Sequence, residues 1–196
     1  MCCMIICSIL FSYNTYAQKV ENEKEIEDVL QYTNSASVYI LYALQNKGTT
    51  SLKEKFLVNG FSYLLTSTSV IGMKSFIHAP RPNGMDNEAF PSGHAAMAFA
   101  GAEFFRMEYG AQSKWATIVP YTIAATTAYL RVEHEHHQVQ DVLAGAAIGY
   151  LSVKLSYALL PFMYRITKDK KNATTLKQFD SLLGFGHNGL HIQFSF

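Results

Sequence analysis

The chain has 196 residues, a length that fits one domain with a respectable core. Sixteen lysines and arginines against 15 acidic residues leave a formal net charge of +1, so no global field invites nucleic acid or a polybasic membrane anchor, and any preference for an anion must be local. The three cysteines, Cys2, Cys3 and Cys7, all lie in the first seven residues; with that segment removed, disulfides, thiolate metal sites and cysteine nucleophiles are excluded.

Residues 1–17 hold an apolar stretch (Met4, Ile5, Ile6, Cys7, Ile9, Leu10, Phe11) and then Thr15-Tyr16-Ala17 before Gln18. This reads as a secretory signal cut after Ala17, although it lacks the basic residues usual at a signal's start. The apolar run is too short to span a bilayer comfortably. The expectation is therefore an exported protein, periplasmic or associated with the envelope. A lipid anchor through Cys7 and an ordinary apolar helix are the lesser readings.

A charged linker, Glu21 to Glu25, precedes Ile26, Val29, Leu30, Thr33, Val38, Leu41, Tyr42 and Leu44, whose helical spacing predicts one or two scaffold helices before Gly48. Leu52 to Phe76 reads as a Ser- and Thr-rich helix with Lys74 in its last turns. Ala79-Pro80-Arg81-Pro82 stops it, because two prolines break a helix and fix an extended loop. After a polar loop, Pro91-Ser92-Gly93-His94 opens a helix over Ala95 to Met107 with Ser92 as N-cap, and Gly110 ends it. Further helices are predicted from about Lys114 to Leu130, interrupted or started late by Pro120, and from about Gln138 to Met163, stopped near Pro161.

The apolar run Val142 to Leu160 admits a membrane-spanning helix or a buried helix of a soluble bundle, with Lys154 at its edge and a small-residue face of Gly145, Gly149, Ser152 and Ser156. The mean hydropathy of +0.04 favours a soluble or peripheral all-α domain. Leu190 to Phe196 alternates apolar and polar residues and predicts a short strand or hairpin with Ser181 to Phe185 across a Gly-rich turn, unless that end is disordered or pairs with a partner. The expected organisation is a signal over 1–17, a helical bundle over 18–167 with a site between helices, and a polar linker with a β tail over 168–196.

One constellation carries the chemistry. Lys74, Arg81 and Arg131 are three cations suited to a phosphoryl group, since guanidinium forks pair bidentately with phosphate oxygens and an ammonium adds a compact charge. Ser92, Gly93 and His94 sit at a helix N-terminus, where free N–H groups favour an anion. Asp141 follows His137 by four residues and so shares its helical face. A carboxylate there can hold the imidazole Nδ1 proton and leave Nε2 as a nucleophile, while His94 serves as an acid. Glu133-His134-Glu135-His136-His137 also has the density of a metal site, but a metal would leave the three cations without purpose and be repelled by them; His134 and His136 read as residues of the cavity mouth.

Lys74, six residues, Arg81-Pro82; then Pro91-Ser92-Gly93-His94; then Arg131, five residues, His137, three residues, Asp141: this pattern resembles the superfamily of type 2 phosphatidic acid phosphatases, bacterial class A acid phosphatases and vanadium-dependent haloperoxidases. The one departure is Leu130, where that family usually has a small residue. The resemblance implies an all-helical bundle with the site between helices, and a metal-independent phosphatase of phosphate monoesters or lipid phosphates and diphosphates. It assigns His137 as the nucleophile that forms a phosphohistidine, Asp141 as its orienter and His94 as general acid, with Lys74, Arg81, Ser92, Gly93 and Arg131 on the phosphoryl oxygens. No cofactor is implied, with vanadate expected as an inhibitor. The partners implied are a phosphate-bearing small molecule or lipid, with membrane-surface contact and no nucleic acid. A vanadate-dependent haloperoxidase and a non-catalytic binder of phosphate or lipid head groups are the alternatives.

Overall fold

The computed structural model describes residues 25–45, 48–169, 185–186 and 189–190, with backbone alone for 163, 164, 166–169 and the last two pairs. Five helices occupy the described residues: α1 over 25–43, α2 over Leu52–Phe76, α3 over Gly93–Tyr109, α4 over Trp115–Glu133 and α5 over Val139–Asp169. The all-α class follows the expectation. Cα packing divides the chain into two units that part between Tyr157 and Ala158. In the second, Phe185–Gly186 (β1) pairs antiparallel with Gly189–Leu190 (β2), with Phe185 opposite Leu190. The remainder of the predicted tail pairing and the signal segment 1–17 lie outside the described residues.

Local chemistry sets the helix ends. Ser51 caps α2 in a capping box, its hydroxyl accepting from the Glu54 N–H while the Glu54 carboxylate accepts from the Ser51 N–H at 2.8 Å. The helix then runs to Phe76, as its sequence predicts. Ser92 caps α3 by accepting from Ala95 N–H. Neither the interruption at Pro120 nor the stop near Pro161 holds: α4 is continuous through Pro120 and α5 through Pro161 to Asp169. A proline inside a helix removes one N–H bond, and the turns on either side carry the helix across it.

Helix α3 is the hub, because its small side chains let three neighbours approach closely. Gly101 meets Asn34 and Ser35 of α1, and Ala98 and Ala102 pack with Ala124 of α4. On a third side α5 lies so near that a Cβ on Gly145 would stand 2.3 Å from the Ser92 carbonyl oxygen, and one on Gly149 would stand 2.0 Å from that of Ala96. The small-residue face read from the sequence is thus the seam between α5 and α3.

The first unit buries many polar groups beside its small apolar core and leaves large apolar side chains outside. Its interior holds Gln31, Asn34, Lys55, Ser62, Thr66, Glu103, Glu108 and Ser156, all buried, whereas Val29, Ile40, Leu44, Phe56, Leu64, Ile71, Leu143 and Leu151 are exposed, Leu64 by 61% and Leu151 by 62%. Two helical stretches, Leu52–Phe76 and Val139–Phe162, are long and apolar enough to cross a membrane. The buried polar groups satisfy one another. Glu103 accepts from Arg106, from Tyr121 Oη at 2.7 Å and from Lys154 Nζ at 3.0 Å, so Lys154, its side chain 37% exposed at the edge, pairs with a buried carboxylate.

At the end of α3 remote from Ser92, Glu108 is fully enclosed with Lys55. It also accepts from Thr49 N–H and Thr50 N–H at 3.0 Å, from Thr50 Oγ1 at 2.5 Å and from Tyr157 Oη at 2.6 Å. The preceding Gly48 adopts φ 67° and a Cβ there would meet Glu108 Oε2 at 2.9 Å, so glycine is required where the α1–α2 loop folds over the carboxylate. Removing one partner of a buried pair strands the other. Glu108→Ala is therefore expected to lower stability by about 3–5 kcal/mol, read as thermal unfolding in detergent, and adding Lys55→Met to Glu108→Ala should recover part of that loss.

Candidate active site

The site is assembled where α2, α3, α4 and α5 end or begin. The loop 77–92 folds on itself through Ala89 N–H to Ala79 O at 3.0 Å and Arg81 N–H to Asp86 O at 2.9 Å. It docks on the α4–α5 loop through Asn83, whose N–H donates to Glu135 O at 3.0 Å and whose side chain meets His136 Nδ1 at 3.0 Å. The N-terminus of α3 is tied to α5 by Ser92 N–H donating to Asp141 O at 3.0 Å. These bonds bring all eight residues of the predicted site to one end of the bundle.

Each of the three cations leans on a carboxylate or carbonyl. Arg81 Nε donates to Asp86 Oδ1 at 2.7 Å, and Lys74 Nζ donates to Glu88 O at 2.5 Å with Glu88 Oε2 at 4.0 Å. Arg131, 5% exposed, pairs through Nη1 with Glu27, while its Nε is buried with no hydrogen-bond partner among the described residues. A buried N–H without a partner is costly, and an oxygen from outside the chain would relieve it. The N–H groups of Gly93 and His94 open α3 without intrahelical acceptors, a position that favours an anion. Gly93 itself is not sterically compelled, since a Cβ would meet only Val70 at 3.7 Å.

His137 lies at the centre with its side chain 2% exposed. Burial first, then the charges of Arg131, Arg81 and Lys74, push its imidazole down to about 3, against a bond to the Ala89 carbonyl that acts the other way. The ring is neutral across the physiological range. Here the geometry departs from the sequence expectation. Nδ1 donates to the Ala89 carbonyl at 2.7 Å, whereas the Asp141 carboxylate stands 3.8 Å away and accepts the Gln138 N–H at 2.7 Å. Asp141 closes the first turn of α5, and the loop residue Ala89 takes the nearer acceptor position. Either way Nδ1 carries the proton and Nε2 keeps its lone pair.

His94 is less enclosed. Its Nε2 lies 2.7 Å from Asp28 Oδ1 on α1. His134 Nδ1 lies 2.7 Å from Glu27 Oε1, so His134 and His136 are both fixed by specific partners rather than arranged around one ion. The adjacent acids Glu27 and Asp28 thus join the site from a helix that reads as scaffold. Their one trace in the sequence is a polar stripe, Glu27, Gln31, Asn34 and Ser35, at helical spacing. In a soluble helix such a stripe would face water; here it turns inward, Glu27 to Arg131, Asn34 to the Pro120 carbonyl, and Asn34 and Ser35 to Gly101 of α3.

Residues 72–165 match the PAP2 superfamily. Among curated proteins, the chain is 36% identical over 122 residues to a lipid A 1-phosphatase of Porphyromonas gingivalis, covering 59% of this chain and 27% of that one. It is 24% identical over 168 residues to a probable lipid phosphate phosphatase 4 of Arabidopsis thaliana, covering 65% of this chain and 54% of the relative. The chain therefore spans about a quarter and about half of these relatives' lengths. The crystal structure of LpxE from Aquifex aeolicus superposes with a TM-score of 0.54 at 24% identity, over 68% of this chain and 84% of that one, and shares the fold.

A depressed histidine is visible in titration. The His137 ring resonances are expected to stay in the neutral Nδ1–H form as the pH falls from 8 to 4, with a midpoint near 3; a midpoint near 6.5 contradicts the buried, cation-ringed geometry. Because the folded value lies below the unfolded one, the unfolded chain takes up a proton first as the pH falls from about 6.5 toward 3, so this group weakens the fold in that window.

Proposed function

From the match of residues 72–165 to the PAP2 superfamily we propose that the chain is a metal-independent lipid phosphate phosphatase working through a phosphohistidine on His137. The observation that carries this reading is the buried neutral His137 under the charges of three cations, one of which keeps a buried Nε without a partner among the described residues. A phosphoryl group supplies the missing oxygens. Lys74, Arg81 and Arg131, with the free N–H groups at the start of α3, hold its negative charge as the oxygens spread in the transition state.

Nε2 of His137 attacks phosphorus in line, and the ester P–O bond breaks with its electron pair on the departing oxygen, which takes a proton from His94. Water then attacks the phosphohistidine and gives its proton to the now neutral His94. The N–P bond breaks, its electron pair returns to Nε2, and inorganic phosphate leaves. Ala89 and Asp141 keep the Nδ1 side of His137 fixed throughout.

The choice of a lipid substrate is supported by the exposed apolar side chains of the first unit and by its two span-length helices. Exposed Phe56, Leu64, Ile71, Leu143 and Leu151 would be costly in water and are at home against acyl chains. We place the bundle in the bilayer of the envelope, with the site end at the lipid–water boundary where a head group lies. The lipid phosphates named for both curated relatives point to the same class.

Release of inorganic phosphate from phosphatidate in detergent micelles, with EDTA present, tests the reading. Wild type is expected to turn over, vanadate to inhibit as a mimic of five-coordinate phosphorus, and His137→Ala to fall by at least about a hundredfold. Turnover that needs an added metal, or that survives His137→Ala, overturns it.

A further inference from the structure

Resting on the phosphatase reading, we propose that Asp28 is a positioning residue of the active site: its carboxylate holds Nε2–H of His94, favours the imidazolium over the neutral ring, and turns Nδ1 toward the leaving oxygen. The pairing is direct, with Asp28 Oδ1 2.7 Å from His94 Nε2. A carboxylate only accepts, so Nε2 must be the donor of that bond, and Nδ1 is the nitrogen left for proton transfer. No hydrogen-bond partner occupies Nδ1 among the described residues.

Asp28 is not placed there by chance orientation of a surface side chain. Its neighbour Glu27 is buried and locked by Arg131 and by His134 Nδ1 at 2.7 Å, which fixes the rotation of α1 at this turn. One turn on, Gln31 Nε2 reaches Asp28 Oδ1 at 3.4 Å, and two turns on, Asn34 and Ser35 seat against Gly101 of α3. The Asp28 side chain itself is 48% exposed, so its removal leaves no buried hole.

The pairing answers a need of the chemistry. Burial and the Arg131 charge from α4 hold the His94 imidazole below its ordinary range, while Asp28 and Glu27 of α1 act upward. From α2 the groove beside the ring is lined by Ser67, Val70 and Ile71, none of them titratable. Without Asp28 nothing on the Nε2 side would offset burial and the Arg131 charge, and the ring would be held still further below its ordinary range. With it, the Nδ1 proton passes to the ester oxygen as the P–O bond breaks, Nε2–H stays on Asp28, and Nδ1 later recovers a proton from the attacking water.

The test compares wild type, Asp28→Asn and Asp28→Glu for phosphate release from phosphatidate between pH 4 and 9, beside NMR titration of the His94 ring in each protein. The sign follows from the role: an acid must be protonated, so removing the carboxylate moves the alkaline limb of kcat to lower pH. Asp28→Asn is expected to shift that limb by about one unit, to lose about tenfold in kcat at pH 8 with KM little changed, and to recover toward wild type at acid pH. Asp28→Glu should restore much of the loss. A superimposable profile, or an equal loss at every pH, overturns the proposal. Wild type that releases no phosphate sinks the phosphatase reading instead. The His94 midpoint still decides on Asp28 in that case, falling in Asp28→Asn if the proposal holds and staying unmoved if it does not.

Discussion

Three cations and a neutral imidazole buried at one end of a helical bundle repel or starve one another unless something negative joins them, and the surrounding structure reads as the answer to that constraint. Glu27 stands behind Arg131, Asp86 behind Arg81 and Glu88 near Lys74, while all three cations act on His137. These carboxylates hold the cations in place and offset part of their mutual repulsion without cancelling the field on His137. In the proposed reaction a phosphoryl group would complete the balance, its charge growing where the field is strongest as the P–O bond lengthens.

The bundle holds this arrangement by close approach rather than by a large apolar core. Alanine and glycine on α3 admit α1, α4 and α5 to backbone distance, and the seam at Gly145 lies against the same Ser92 that caps α3. The seam and the α3 cap thus meet at one residue. Far from the site, the buried Lys55–Glu108 pair and its threonine donors tie the α1–α2 loop to the other end of α3. Polar groups inside and apolar groups outside make physical sense in hydrocarbon, where an interior must satisfy its own hydrogen bonds and the exterior need not avoid lipid.

Motif spacing foretold which residues would meet: Lys74, Arg81, Ser92, Gly93, His94, Arg131, His137 and Asp141 converge although loops and four helices separate them. Helix α2 was legible to its last residue because a capping box opens it and a proline-rich loop closes it. Two kinds of information were not legible. Mean hydropathy averages over position, so Lys55 and Glu108 inside cancel Leu64 and Leu151 outside, and a value near zero concealed where each sits. Hydrogen bonds to backbone carbonyls leave no mark on residue type, so nothing at Ala89 announced the acceptor for His137, and the i, i+4 spacing drew attention to Asp141. Glu27 and Asp28 escaped because a polar helical stripe ordinarily means water.

The proposed phosphohistidine at His137 is the centre of the reading, and trapping the phosphoenzyme tests it most directly. Wild type turning over labelled phosphatidate would be quenched in alkali, where a phosphorylated imidazole survives, and its peptides mapped by mass. The expected result is a phosphoryl group on the peptide carrying His137, lost on brief acid treatment. Its absence during steady turnover, or its presence on another residue, would contradict the nucleophilic role of His137.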